Sequence, residues 1–373
     1  MSRNAQPGAR CKRLELFLCL LLLPLRQLQA QLPGRFVDTN VPAARVVIVE
    51  DSLATDELEP VPEKIELMVD RGITNLTGKS TVRAAWNSLV STNDTVGLKV
   101  FSSPGLNSGT RPAVVAAIVR DLIASGVPPR KIIVWDKLAS DLRNAGYFDF
   151  EQRFGIRVEG ALQAGFDTNQ FYATALLGTL IWSDYEFGKT GTGIGRNSYV
   201  SKLVSKEITK IINITPLLHH NLMGVSGNLY SLALGSVDNT LRFEKESDAL
   251  ARAVPEIYAL PVLGDRVVLN VVDALMCQYE GQQRGLLHYS TVLNQLWFSR
   301  DPVALDVLSL REINHERELA GALVNTNMDL FNNAALVEIG VSDTNRIKVN
   351  LLPSPQPARA DSNPLTPTPA PSK

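Results

Sequence analysis

The chain has four histidines, and two of them, His219 and His220, are adjacent. They follow the strand-like run Lys210-Ile-Ile-Asn-Ile-Thr and precede the helix-like run Leu222-Met-Gly-Val-Ser-Gly-Asn-Leu-Tyr-Ser-Leu-Ala-Leu-Gly. A neutral imidazole at such a junction can act as a general base or ligate a metal. Neighbouring histidines rarely both face one site, so His220 is taken as the one that acts. Two carboxylates are its candidate partners. Asp273 ends the apolar run Val267-Val-Leu-Asn-Val-Val-Asp, and Glu280 follows in Tyr279-Glu-Gly. A carboxylate leaving a buried strand is either satisfied by local donors or works on a ligand. His220, Asp273 and Glu280 therefore form the expected catalytic set, with His220 also the candidate ligand for a divalent metal. Lys99, Thr110, Arg111 and Lys137 are the expected anion-binding group. Lys99 stands on an apolar strand, where an ammonium needs a counter-charge or an edge facing solvent. Asp306 is left open.

Other patterns lead away from familiar chemistry. Gly72 to Ser80 resembles a phosphate loop, but five residues separate its glycines where four are required, and IELMVDR before it reads as helix. A loop in which Thr77 caps the next helix is preferred there. Gly188 to Asn197 matches no dinucleotide fingerprint; it reads as a flexible loop or an anion-binding nest. No Gly-x-Ser-x-Gly elbow and no His-x-x-x-His pair occurs.

These groups need a scaffold. Short β-branched runs at 45–50, 95–101, 131–136, 211–214, 266–273 and 291–298 alternate with helical patterns at about 80–90, 112–125, 220–234, 247–257 and 302–315. That alternation predicts an α/β fold, a mostly parallel sheet with helices on both faces. Ligands in such sheets sit beyond the strands' carboxyl ends, so the loops after Phe101, Asp136, Ile214 and Asp273 are where a site belongs. In the clearest unit, Thr110 is expected to cap the helix that Pro112 opens, and Asp301 to cap the one opened by Pro302. The core, 31–352, is either one large domain or two lobes, about 45–150 and 200–345, with a junction or lid at 150–200.

The ends bound the setting. Basic residues precede a ten-residue apolar run, Leu16 to Leu25, and a small residue, Ala30, follows. This predicts a signal peptide over 1–30 and export to the periplasm or beyond; ten residues span only about 15 Å as a helix, half a bilayer core. Cleavage would change the formal charge from −1 to −5 and leave Cys277 alone. The expectations that follow are no nucleic-acid partner, no membrane span, no internal disulfide and no iron–sulfur cluster. Cys277 itself reads as an inert residue near the end of a strand. The proline-rich stretch 353–373 reads as a disordered tail.

Several of these pieces, in this order, resemble the uncharacterised family known as domain of unknown function 362. They are Asp94-Thr-Val-Gly-Leu-Lys-Val, Thr110-Arg-Pro with its helix and strand, Lys210 to His220, Gly224 to Gly235, Val272-Asp-Ala, Glu280-Gly, and Asp301-Pro-Val-Ala-Leu-Asp. Family members often carry lysines where this chain has Leu218 and Tyr230; His220 matches the family histidine. The Thr-Arg-Pro unit is also similar to the amino-terminal domain of nickel-dependent lactate racemases, without their lysine and histidine set. Taken with the signal peptide, the resemblance leads to an exported enzyme with its reaction and cofactor unknown, or a non-catalytic exported small-molecule-binding module on the same fold.

Overall fold

A computed structural model describes residues 43–354. The expected signal peptide and residues 355–373 of the expected tail lie outside them. The strands are β1 (Ala44–Glu50), β2 (Thr55–Asp56), β3 (Glu59–Pro60), β4 (Val96–Val100), β5 (Ile132–Asp136), β6 (Arg157–Gly160), β7 (Phe166–Ala173), β8 (Asn197–Ser201), β9 (Lys210–His220), β10 (Gly224–Val225), β11 (Val267–Gln278), β12 (Ser290–Ser299) and β13 (Ile347–Leu352). The main sheet runs β13-β1-β12-β11-β9-β4-β5-β6, with β10 on β9. Pairing is parallel from β11 through β9, β4 and β5 to β6, and between β1 and β13; β12 is antiparallel to both its neighbours. The stretches 45–150 and 200–345 thus contribute strands to one sheet. Between them, β7 and β8 pair as a separate antiparallel ribbon.

Alternation along the strands divides the apolar residues between two cores. On one face, Val47, Leu98, Val134, Ile212, Ile214 and Phe298 meet α1 (Pro62–Thr77), α2 (Val82–Asn87), α3 (Pro112–Ala124), α4 (Ala139–Asn144) and α5 (Asp149–Phe154). Beyond the short α6 (Ala161–Ala164), the other face packs Ile133, Ile211, Val272 and Trp297 against α7 (Asn228–Ser236), α8 (Ser247–Tyr258), α9 (Pro302–Leu319) and α10 (Asp329–Leu336). The fold is α/β, a mostly parallel sheet with helices on both faces. No helix among the described residues is long and apolar enough to cross a membrane.

Local chemistry departs from expectation at two threonines. Thr77 is the last residue of α1, which Gly78 terminates at φ 67°, and the cap of α2 is Thr81, accepting from the Ala84 amide at 3.2 Å. Arg111, not Thr110, holds the capping position of α3. Asp301 does cap α9, accepting from the Ala304 amide at 2.9 Å. Cys277 is buried near the end of β11, and burial raises its thiol above the ordinary range.

Candidate functional site

Because β4, β5, β9 and β11 are parallel, their carboxyl ends share one edge of the sheet. Lys99, on an interior strand beside Trp135, is completely buried. Its ammonium donates to Asp136 Oδ1 at 2.8 Å, Ser231 Oγ at 3.1 Å and the Val100 carbonyl at 2.6 Å, which uses all three of its protons. The rings of Phe101 and Trp135 flank it. Burial pushes the Lys99 ammonium below its usual value, and Asp136 pulls it back up. Gly235 on α7 makes the room: a Cβ there would lie 2.4 Å from Lys99 Cε. Asp136 also accepts from Ser102 N (2.8 Å), Ser102 Oγ (2.7 Å) and the Lys137 amide (2.8 Å).

Asp273 anchors a second cluster. It accepts from the Arg111 amide and from Arg111 Nη1, both at 2.9 Å, and from the Leu275 amide at 3.3 Å. Thr110 Oγ1 accepts from the Phe101 amide at 3.0 Å and donates to the Ile214 carbonyl at 2.7 Å. Instead of capping α3, Thr110 fastens the loop after β4 to β9, while Arg111 fastens it to β11. Lys99 and Arg111, expected to bind an anion, each face a carboxylate of their own chain.

The histidines sit on the last two residues of β9. His220 Nδ1 accepts from the Leu222 and Met223 amides, both at 3.2 Å, and its ring lies 4.7 Å from that of Tyr230. An accepting Nδ1 carries no proton, so the neutral ring holds its hydrogen on Nε2 and presents a donor there, not a lone pair. Burial pushes His220 down to about 4, with His219 adding to the effect. His219 is likewise pushed down to about 4, by burial and then by Arg317, which lies 3.3 Å from its Nε2. Arg317 pairs with Glu280 at 2.8 Å. Among the described residues, no hydrogen bond or ion pair joins His220, Asp273 and Glu280 to one another, and no three His, Cys, Asp or Glu side chains cluster as a metal site.

A cavity of about 250 Å³ does open at this edge, above Asp136, between α7 and the loop 174–196. Phe101, Tyr230 and Leu234 form its apolar wall; Lys137, Asp141, Thr240 and Glu244 supply polar groups; Ile181, Ser183, Asp184 and Leu241 complete it. Lys137 is the one expected site residue whose ammonium lines it. Lys137 Nζ donates to Thr240 Oγ1 at 2.7 Å. Burial lowers its ammonium from the ordinary lysine value, against the raising pull of Glu244, Asp184, Asp238 and Asp136.

The loop over the cavity is pinned by carboxylates. Asp184 accepts from the Asn239 amide (2.8 Å) and the Ile181 amide (2.9 Å), and Asp238 from the amides of Tyr185 (2.7 Å) and Tyr199 (2.5 Å). Burial pushes Asp238 up to about 6. The glycine-rich stretch has Gly188, Gly191, Gly193 and Gly195 at positive φ, and the Gly195 amide is taken by Glu186 at 2.8 Å, a carboxylate of the same chain. Asp306, left open by the sequence, fixes α7 from α9. It accepts from Asn228 N (2.6 Å), Leu229 N (2.9 Å) and Asn228 Nδ2 (3.0 Å), satisfying a helix start that has no cap of its own. Burial pushes Asp306 up to about 6. Asp136 was within reach of sequence reasoning as a carboxylate at a strand end. Ser231 lies in the Gly224 to Gly235 stretch that carries the resemblance, whereas Thr240 and Glu244 lie where the pattern gives no signal.

Residues 96–311 match the family described as Domain of unknown function (DUF362). The chain belongs to this family. The matched span runs from β4 into α9 and contains every cavity-lining residue named above. No curated protein matches the sequence. Among solved structures, the chain is similar to a protein from Thermotoga maritima, at 13% identity and a TM-score of 0.36, over 70% of this chain and 59% of that one. The chain thus spans about 59% of that protein's length. At the two positions where the resemblance expects lysines, this DUF362 protein buries Leu218 in the core and sets Tyr230 in the cavity wall, its hydroxyl accepting from Gln283 Nε2 at 3.3 Å.

Proposed function

We propose that this DUF362 protein is an exported small-molecule-binding protein whose ligand occupies the cavity at the carboxyl ends of β4 and β5. The observation that carries this reading is the cavity itself: about 250 Å³, an aromatic and aliphatic wall, and convergent polar groups around Lys137 and Glu244. That combination of apolar lining with few placed polar groups is the ordinary make-up of a ligand site. His220, Asp273 and Glu280 serve in this reading as framework, since each is committed to partners in its own chain. Acid–base catalysis on the bound molecule is the second reading, favoured by the lowered ammonium of Lys137 among carboxylates.

The test is retention. Purified protein incubated with a mixture of small metabolites, then washed on a filter and analysed by mass spectrometry, should hold one or more compounds. Leu241→Trp, which adds bulk to the lining, should retain at least tenfold less. Equal retention by the two proteins defeats the assignment.

A further inference from the structure

The loop over the cavity exposes apolar side chains that a water-facing surface has no use for. Trp182 is 76% exposed, Leu177 65%, Leu176 47%, Ile181 39% and Leu241 39%. Ile181 and Leu241 line the cavity, and Trp182, itself outside the lining, follows Ile181 in the chain. Arg242 donates to the Leu176 carbonyl at 3.0 Å, which ties the backbone of the 174–196 loop to the residue after Leu241. The hydrogen bonds from Ile181 and Tyr185 to Asp184 and Asp238 fix the backbone on either side of Trp182. Ile181 and Leu241 thus share the cavity with the apolar wall of Phe101, Tyr230 and Leu234 while staying partly exposed themselves. Exposed apolar side chains that line a pocket mark a binding surface.

The polar end of the cavity has a sign. Asp136 is matched by Lys99, which leaves Asp141, Asp184 and Glu244 against the single ammonium of Lys137. Neither Asp141 nor Glu244 belongs to an ion pair among the described residues. Excess negative charge in a partly desolvated space favours a cation and repels a carboxylate or phosphate.

We infer that the ligand is a single-chain amphiphile with an amine head: the ammonium enters beside Glu244 and Asp141, and the aliphatic chain lies across Leu241, Ile181 and Trp182. This rests on the reading that the cavity takes a small molecule, and it names the class. The probes are butylamine, hexylamine and octylamine below their aggregation limits, titrated calorimetrically against the purified protein at pH 7.5. Affinity should rise about two- to fourfold per methylene, as burial of a CH₂ group predicts. Octanoate should bind at least tenfold more weakly than octylamine. Trp182→Ala removes an exposed side chain and should flatten the dependence on chain length, weakening octylamine more than butylamine. Affinity independent of chain length, octanoate binding as tightly as octylamine, or no binding by any amine overturns the inference. If metabolites are still retained by the cavity in that event, the small-molecule reading survives and only the amphiphile is lost; if retention fails too, both fall.

Discussion

Lys99 shows how far a residue's chemistry can be read before its neighbours are known. An ammonium on an apolar strand demanded either a counter-charge or an exposed edge, and it has Asp136 at 2.8 Å on an interior strand. Nothing in the sequence tied Lys99 to Asp136, because the pairing depends on β4 and β5 lying side by side and on Gly235 leaving space above. His220 was legible as a residue type at a strand end, but not as an acceptor for two backbone amides, since that depends on the turn at Leu222 and Met223. Removing one member of a buried pair leaves a desolvated charge and costs about 3–5 kcal/mol. Asp136→Asn should therefore destabilise the protein by that order at pH 7, and Lys99→Met added to it should recover part of the loss. The sign of the pH effect is distinctive. With its folded value below 10.5, Lys99 sheds its proton in the folded state first, so the Asp136→Asn deficit should shrink as pH rises toward 10.5. Urea denaturation at pH 7 and 9.5 measures both effects; an unchanged deficit at the higher pH removes the explanation.

At the scale of elements, hydrophobic period marked β1, β4, β5, β11, β12 and the helices α3, α8 and α9, because each buries one face or lies wholly inside. It could not place β7, β8 or the loop between them. Their residues are held by carboxylate-to-amide bonds such as Glu186 to Gly195, which have no period. One packing contact carries a prediction of its own. Where α1 meets α3, the carboxyl groups of Asp70 and Asp121 are neighbours, and Asp121 accepts from Trp86 Nε1 at 2.8 Å. Burial, and then the neighbouring Asp70 carboxylate, push Asp121 up to about 7. A carboxyl raised from 3.8 to about 7 binds a proton in the folded state that the unfolded chain has released, so stability falls as pH rises through that interval. Asp121→Asn keeps the acceptor for Trp86 and abolishes the titration. It should be more stable than the parent above pH 7 by about 1–2 kcal/mol, a figure discounted for partial exposure, and near parity at pH 4. Denaturation curves at the two pH values that run parallel for both proteins would refute it.

For the molecule as a whole, the parallel block from β11 to β6 collects Lys99, Asp136 and Asp273 at one edge, and a cavity opens over β4 and β5, where α7 and the 174–196 loop meet. The sheet was legible because β-branched runs end where carboxylates begin; the division of that edge into separate clusters was not, because strand order sets it. The same division gives the protein opposing proton linkages. His219 and His220, lowered from 6.5 to about 4, refuse protons that the unfolded chain takes up, so their contribution is complete above pH 6.5 and is lost as pH falls toward 4. Each is worth up to roughly 2–3 kcal/mol at neutral pH by this measure. Asp121 works the other way over much of the same interval. The parent should therefore show a shallower acid limb than its parts imply. His219→Gln with His220→Asn should tilt the profile so that stability rises toward acid. Asp121→Asn should steepen the loss from pH 6.5 to 4.5, and the triple variant should still gain stability toward acid, because Asp238 and Asp306, each raised to about 6, keep taking up protons in the folded state. Thermal midpoints collected at half-unit steps of pH decide this: if the histidine variant keeps the parent's acid limb, the buried imidazoles are not what the fold loses first.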